Sequence, residues 1–177
     1  MFGFLSGWSH AKCKSNLQMA ASRAKQSMNK TIVQKQQLER ETVELIKATN
    51  FEKARVRAEQ TLQKQHLETM FDVLETMLDL LATRIKIIAN ASTLPTDLYP
   101  CVSSICYCVD RVDNPELQVV WSQLCSKFGK KVMNQMKENV HDKVHPAVWE
   151  KQNFTQNWLV FLWFWTVSII FFHTFRF

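Results

Sequence analysis

From Ala11 to Ala48 the chain contains no Gly or Pro, and its small or apolar positions recur at alternating steps of four and three. They are Leu17, Ala21, Ala24, Met28, Thr31, Leu38, Thr42, Leu45 and Thr49. A period of 3.5 predicts a long helix with one stripe lying against another helix. Lys35 interrupts the stripe, which is also poor in Leu and Ile and so cannot bury enough apolar area to hold a tight parallel dimer. The expected partner is therefore the next segment of the same chain. Asn50 suits an N-cap, and Phe51 to Asn90 again runs without Gly or Pro. The first half of this second helix is polar. In its second half Leu67, Met70, Leu74, Met77, Leu81 and Ile88 continue a stripe. Phe71, Val73, Leu78, Leu80, Ile85 and Ile87 widen that stripe beyond what one neighbouring helix covers. At ~1.5 Å per residue each helix would reach about 57 to 60 Å, a hairpin with one bare end.

Shorter helices should cover the wide apolar half. Thr96-Asp97 starts one, with Pro100 in its first turns and Val102, Ile105, Cys106 and Val109 on one side. Asn114-Pro115-Glu116 starts another, Asn as cap and Pro at the first helical position. Its apolar face is Leu117, Val120, Trp121, Leu124, Phe128, Val132 and Met136. A short further helix follows Pro146. No stretch alternates with period two between hairpin signals, so the class is all-α: a long antiparallel helical hairpin with two or three shorter helices packed on its lower half.

Several motifs in this order resemble the increased-sodium-tolerance family of ESCRT-III-like proteins. They are Lys12-Cys13-Lys14, Ala54-Arg55-Val56-Arg57-Ala58-Glu59, Leu74-Glu75 with Asp79-Leu80-Leu81, and Val102-Ser103-Ser104. Asn114-Pro115-Glu116-Leu117-Gln118 then leads to Lys127-Phe128-Gly129-Lys130, and Val144-His145-Pro146 precedes Glu150-Lys151. The resemblance implies a five-helix ESCRT-III core over residues 11–152. It implies a subunit that copolymerises with other ESCRT-III subunits and with itself on membranes, modulates the AAA ATPase that dismantles those polymers, and serves endosomal and vacuolar protein sorting. The implied place is cytoplasmic, peripheral on endosomal membranes.

Charge supports an anionic partner independently of that resemblance. Residues 1–64 hold twelve Lys or Arg against five Glu, whereas residues 65–99 hold two against five. Lys12, Arg23, Lys30, Arg40 and Lys47 fall on the side of the first helix away from its seam, available to a lipid surface where each basic group contributes about 1 kcal/mol. A solvated helix face is the plain alternative. Nucleic acid is not expected, since no recognition fold appears and a pI near 9.1 is only mildly basic. Near the hairpin tip, Arg55 and Glu59 can pair at i and i+4; together with Arg57 they form either an ordinary surface ion pair or, by the resemblance, a contact between subunits. Phe2, Phe4, Leu5 and Trp8, in a segment spanning residues 1–10, suit interfacial anchoring beside a basic helix, or packing on the core.

No nucleophile–base motif or phosphate loop is present, and neither enzyme activity nor a cofactor is expected. The five cysteines read as free thiols, with Cys101, Cys106 and Cys108 as small core residues. His141 and His145, four apart, could share a metal on a helix, but no third ligand is evident.

The end of the chain departs from the family pattern. Residues 153–177 are strongly apolar, and no formal charge intervenes between Lys151 and Arg176. Trp158, Phe161, Trp163, Trp165 and Phe171 punctuate a run close to the ~20 residues of a membrane-spanning helix. Such a C-terminal hydrophobic helix would make the chain a tail-anchored membrane protein. The same bias is what translated thymine-rich intronic sequence gives, so a mis-spliced gene end is the competing reading. Either way the terminal motifs through which the family recruits the ATPase are absent. A tail-anchored coiled-coil tether or fusion-type protein is the second functional reading; Pro95, Pro100, Pro115 and Pro146, standing between the seam and the tail, oppose it.

Overall fold

A computed structural model describes residues 7–149. These are helical throughout, with no strand among them: α1 His10–Lys47, α2 Phe51–Thr83, α3 Ile85–Asn90, a 3-10 turn Thr96–Leu98, α4 Tyr99–Cys108, α5 Pro115–Phe128, α6 Lys130–Lys137 and α7 Pro146–Trp149. The expected tail helix and Phe2, Phe4 and Leu5 lie outside the described residues. Among the described residues no helix is long and apolar enough to cross a membrane. The described chain divides into two compact units, residues 7–27 with 70–149, and residues 28–69.

In the first unit the widened stripe of α2 finds its cover. Leu74, Leu78, Leu81, Ile85 and Ile88 are fully or almost fully buried, as are Cys13, Leu17, Ala20, Ala21 and Ala24 of α1. Nearly all of α4 is buried, Cys101 to Val109 without a break, which is why the element reads as apolar on every side. Leu117, Val120 and Leu124 of α5, Met133 and Met136 of α6, and Val144 and Val148 complete the core. Leu80 and Ile87 stay exposed, at 38% and 52%, so the stripe is narrower than its apolar residues suggest.

The second unit is the tip of the hairpin, and its interior is made of small side chains. Ala54, Ala58, Thr31, Thr42 and Thr61 are buried, whereas Leu38 and Leu45 are only half-buried. Polar rungs join the arms. Lys35 pairs with Glu68 at 2.5 Å, Lys64 donates to Gln34 at 2.7 Å, and Arg57 pairs with Glu41 at 3.1 Å. Lys35, the interruption in the seam, is thus one of the groups that hold the arms together. Glu41 near the end of α1 meets Arg57 near the start of α2, whereas Gln34 and Lys35 meet Lys64 and Glu68, the signature of antiparallel packing.

The turn at the tip closes α1 by a Schellman arrangement. Asn50 N–H donates to Leu45 O and Thr49 N–H to Ile46 O, both at 2.9 Å, with Thr49 at φ 56°. Asn50 then caps α2 as expected, its Oδ1 accepting from Lys53 N–H at a long 3.4 Å. Asn139 closes α6 in the same left-handed way, and its Oδ1 accepts from the N–H groups of Lys143 and Val144.

Three expectations need correction. The second helix does not run unbroken to Asn90: it bends at Arg84, and both Ile85 and Ile88 turn into the core. The fourth expected helix stops at Phe128, because Gly129 adopts φ 91°, ψ 140°, and α6 begins afresh with Met133 and Met136 facing inward. Asn114 does not cap α5 with its side chain. It is buried instead, and its Nδ2 donates to Ala20 O of α1 at 3.0 Å, tying two elements far apart in sequence.

Gly129 offers a clean test of this corner. An added Cβ meets nothing within 4 Å, so only the backbone resists a side chain. Gly129→Ala should cost roughly 1–3 kcal/mol in urea unfolding, through φ strain alone; an unchanged midpoint would show that the corner can relax.

Candidate functional site

The basic positions of α1 fall into two groups. All five of Lys12, Arg23, Lys30, Arg40 and Lys47 are exposed, in keeping with a direction away from the seam. Among the described residues Lys12, Lys30 and Arg40 have no ion-pair partner. Arg23, by contrast, is committed: its Nε and Nη2 donate to the two carboxylate oxygens of Glu116 at 2.6 and 2.7 Å. Lys47 pairs with Glu44 of its own helix at 2.9 Å.

Arg23 lies on the exposed side of α1, and α5 comes alongside that side and supplies its partner Glu116. The fork geometry is the strong, bidentate kind of guanidinium–carboxylate contact. It raises the Arg23 pKa and holds the Glu116 carboxyl below the ordinary glutamate range, with the Arg23 hydrogen bond as the leading cause. Arg23 remains 46% exposed, which limits its strength. The sequence did carry a signal for Glu116, an acid in the first turn of α5, but the Asn-Pro-Glu run read wholly as a helix start.

At the tip, Arg55 and Glu59 form the expected i, i+4 pair, at 3.4 Å. Arg57 reaches the opposite arm and Glu41, a partner that spacing within one helix could not reveal. Glu41, Glu44, Glu52, Arg40, Lys53 and Arg57 rim an open groove of about 760 Å³ floored by Leu45 and Val56. Phe51 and Val56 stand out at 55% and 53% exposure, unusual for large apolar residues beside so many charges.

Trp8 is half-buried, and its neighbour Ser9 donates its backbone N–H to the buried Gln123 Oε1 of α5 at 2.8 Å. The start of α1 is thereby fixed to the first unit. Cys101, Cys106 and Cys108 are buried, as expected of small core residues; Cys13 is buried as well, and none of the five cysteines forms a disulfide. Burial pushes the Cys13 and Cys101 thiols up to about 12 and raises Cys106 and Cys125 as well, so these are poor nucleophiles at neutral pH. His141 and His145 lie in turns rather than on a helix, and among the described residues no cluster could hold a metal.

One unit is an apolar core of short helices packed with the ends of α1 and α2, the other a pair of charged antiparallel arms, and all regular elements among the described residues are helical, the class of an ESCRT-III-like helical core. The chain belongs to the Ist1 family, described as regulators of Vps4 activity in the multivesicular body pathway, whose sequence model matches residues 14–157. The match thus continues past residue 152, where the departure from the family pattern was expected. An IST1-like protein of Dictyostelium discoideum is 29% identical over 154 residues, covering 87% of this chain and 42% of that protein. The chain spans about two fifths of that curated relative. The crystal structure of the Saccharomyces cerevisiae Ist1 N-terminal domain in complex with the Did2 MIM motif shares the fold, with a TM-score of 0.81 at 21% identity. That likeness covers 97% of this chain and 94% of the yeast domain.

The Arg23–Glu116 clip gives a pH signature. A carboxyl whose folded pKa is depressed contributes stability above its unfolded value, and that contribution fades as pH falls through the folded value. Asp110, held down chiefly by its hydrogen bond to Lys137, acts in the same direction. Stability should therefore decline below about pH 4.3, and Glu116→Gln should flatten the decline in thermal melts. Identical slopes for both proteins would show the clip to be energetically idle.

Proposed function

We propose that this chain is a non-enzymatic ESCRT-III-associated subunit that assembles on anionic endosomal membranes and modulates turnover of ESCRT-III polymers by the disassembling ATPase. The family match across residues 14–157 carries this reading. The membrane-facing part rests on Lys12, Lys30 and Arg40, exposed cations without ion pairs; Arg23 and Lys47 join them as partly shielded members of the stripe. At the tip, the proposed contact with neighbouring subunits uses the exposed Phe51 and Val56 beside Arg55, Arg57 and Glu59. These charges keep their in-chain partners and add register rather than bulk affinity.

Since the yeast relative's N-terminal domain forms a complex with a MIM motif of Did2, we extend the same partner class, a short motif of an ESCRT-III subunit, to this chain. The apolar run of residues 153–177 would add an anchor if it spans a bilayer. Its support is compositional: no formal charge between Lys151 and Arg176. The tether reading finds little support, because short helices and prolines separate α1 and α2 from that run.

Co-sedimentation with anionic liposomes tests the membrane step. Reversing the charge of Lys12, Lys30 and Arg40 together should weaken binding by about two decades, at roughly 1 kcal/mol per headgroup contact. Raised salt should weaken the wild type in the same way. Binding indifferent to both would remove the basic-stripe mechanism. Filaments or coated tubules with an ESCRT-III partner, seen by negative-stain electron microscopy, would be the assembly readout.

A further inference from the structure

At the foot of the hairpin, within the first unit, a cleft of about 510 Å³ opens between the start of α1 and the α2–α3 bend. One wall carries His10, Lys14 and Gln18, successive turns of α1. The other carries Asp79, Thr83 and Lys86. The three charged side chains come from both walls and none is neutralised. Among the described residues Lys14, Lys86 and Asp79 have no ion-pair partner, although cations and carboxylates there pair at eight other places. The His10 side chain lines the α1 wall, its Nε2 buried and without a hydrogen-bond partner among the described residues. The Thr83 hydroxyl donates to Asp79 O at 2.9 Å, which leaves its oxygen lone pairs free to accept.

Two cations and one anion in a concave, polar-lined space call for a ligand with two anionic groups and one cationic group. A purely anionic ligand would meet Asp79 as a repulsion, and a simple cation would meet two lysines. We propose that this cleft recognises the phosphoserine headgroup of an anionic lipid, with Lys14 and Lys86 taking the phosphate and carboxylate and Asp79 taking the ammonium beside the Thr83 oxygen. This deepens the membrane reading above and rests on it. The diffuse stripe of α1 supplies attraction to any anionic surface, whereas the cleft supplies a choice among headgroups of equal net charge.

The test uses the full chain and vesicles of phosphatidylcholine containing equal mole fractions of either phosphatidylserine or phosphatidylglycerol. Both anionic lipids carry one net negative charge, so a nonspecific basic surface treats them alike. The expected result is about fivefold tighter binding to the phosphatidylserine vesicles, the ratio that one added headgroup contact gives. Asp79→Asn should abolish the preference while strengthening binding to phosphatidylglycerol. Lys86→Gln should lower phosphatidylserine binding more than phosphatidylglycerol binding. Thermal melts of each variant check folding, and soluble glycerophosphoserine should compete where glycerophosphoglycerol does not. Equal binding to both vesicles by every variant would overturn the headgroup assignment and leave the membrane reading intact. No binding to either would overturn both.

Discussion

Small side chains let α1 and α2 lie side by side within each unit, and the rest of each unit depends on that. Where alanines and threonines fill the interior, as Ala54, Ala58, Thr31, Thr42 and Thr61 do toward the tip, the backbones can approach closely, but little apolar area is removed from water. Polar rungs such as Lys35–Glu68 and Arg57–Glu41 are partly exposed and contribute modestly. Stability must therefore come from the first unit, where Leu74, Leu78, Leu81, Ile85 and Ile88 are covered by α4 to α7. Large apolar side chains at the tip, Phe51 and Val56, are left exposed rather than recruited into its interior.

Periodicity in the sequence revealed the long helices, their antiparallel pairing and the apolar base, because these follow from spacing along one chain. The interruptions escaped it for distinct reasons. Arg84 carries no breaker residue, and its bend arises because Ile85 and Ile88 both reach the core, a tertiary demand that local propensity does not encode. Gly129 sits inside an apolar spacing that runs on through Val132 to Met136, so periodicity alone does not mark the break between α5 and α6. Asn114 looked like a cap because Asn before Pro usually is one; the competing partner, Ala20 O, lies 94 residues away.

The same limit shaped the reading of the charged groups. Helical spacing gives the direction in which a side chain points, and every member of the basic stripe is indeed exposed. It cannot say what else arrives in that direction. Glu116 and Glu41 come from other elements and engage Arg23 and Arg57, whereas Arg55–Glu59, a pair within one helix, was legible from spacing.

These pairings separate the two kinds of cation by role. Arg23, Arg57 and Arg84 each bridge to a carboxylate of another segment, and Arg111 stacks on Tyr107 at 3.8 Å while donating to its carbonyl. A planar guanidinium keeps its charge and offers several donors in fixed directions, so it suits joints that must hold one geometry. The cations left without an ion pair among the described residues are mostly lysines, Lys12, Lys14, Lys30, Lys53 and Lys86 among them. A flexible ammonium loses little by remaining solvated and can follow a headgroup that has no fixed position. Arginine thus holds the joints between segments, while the solvated faces are left mainly to lysine.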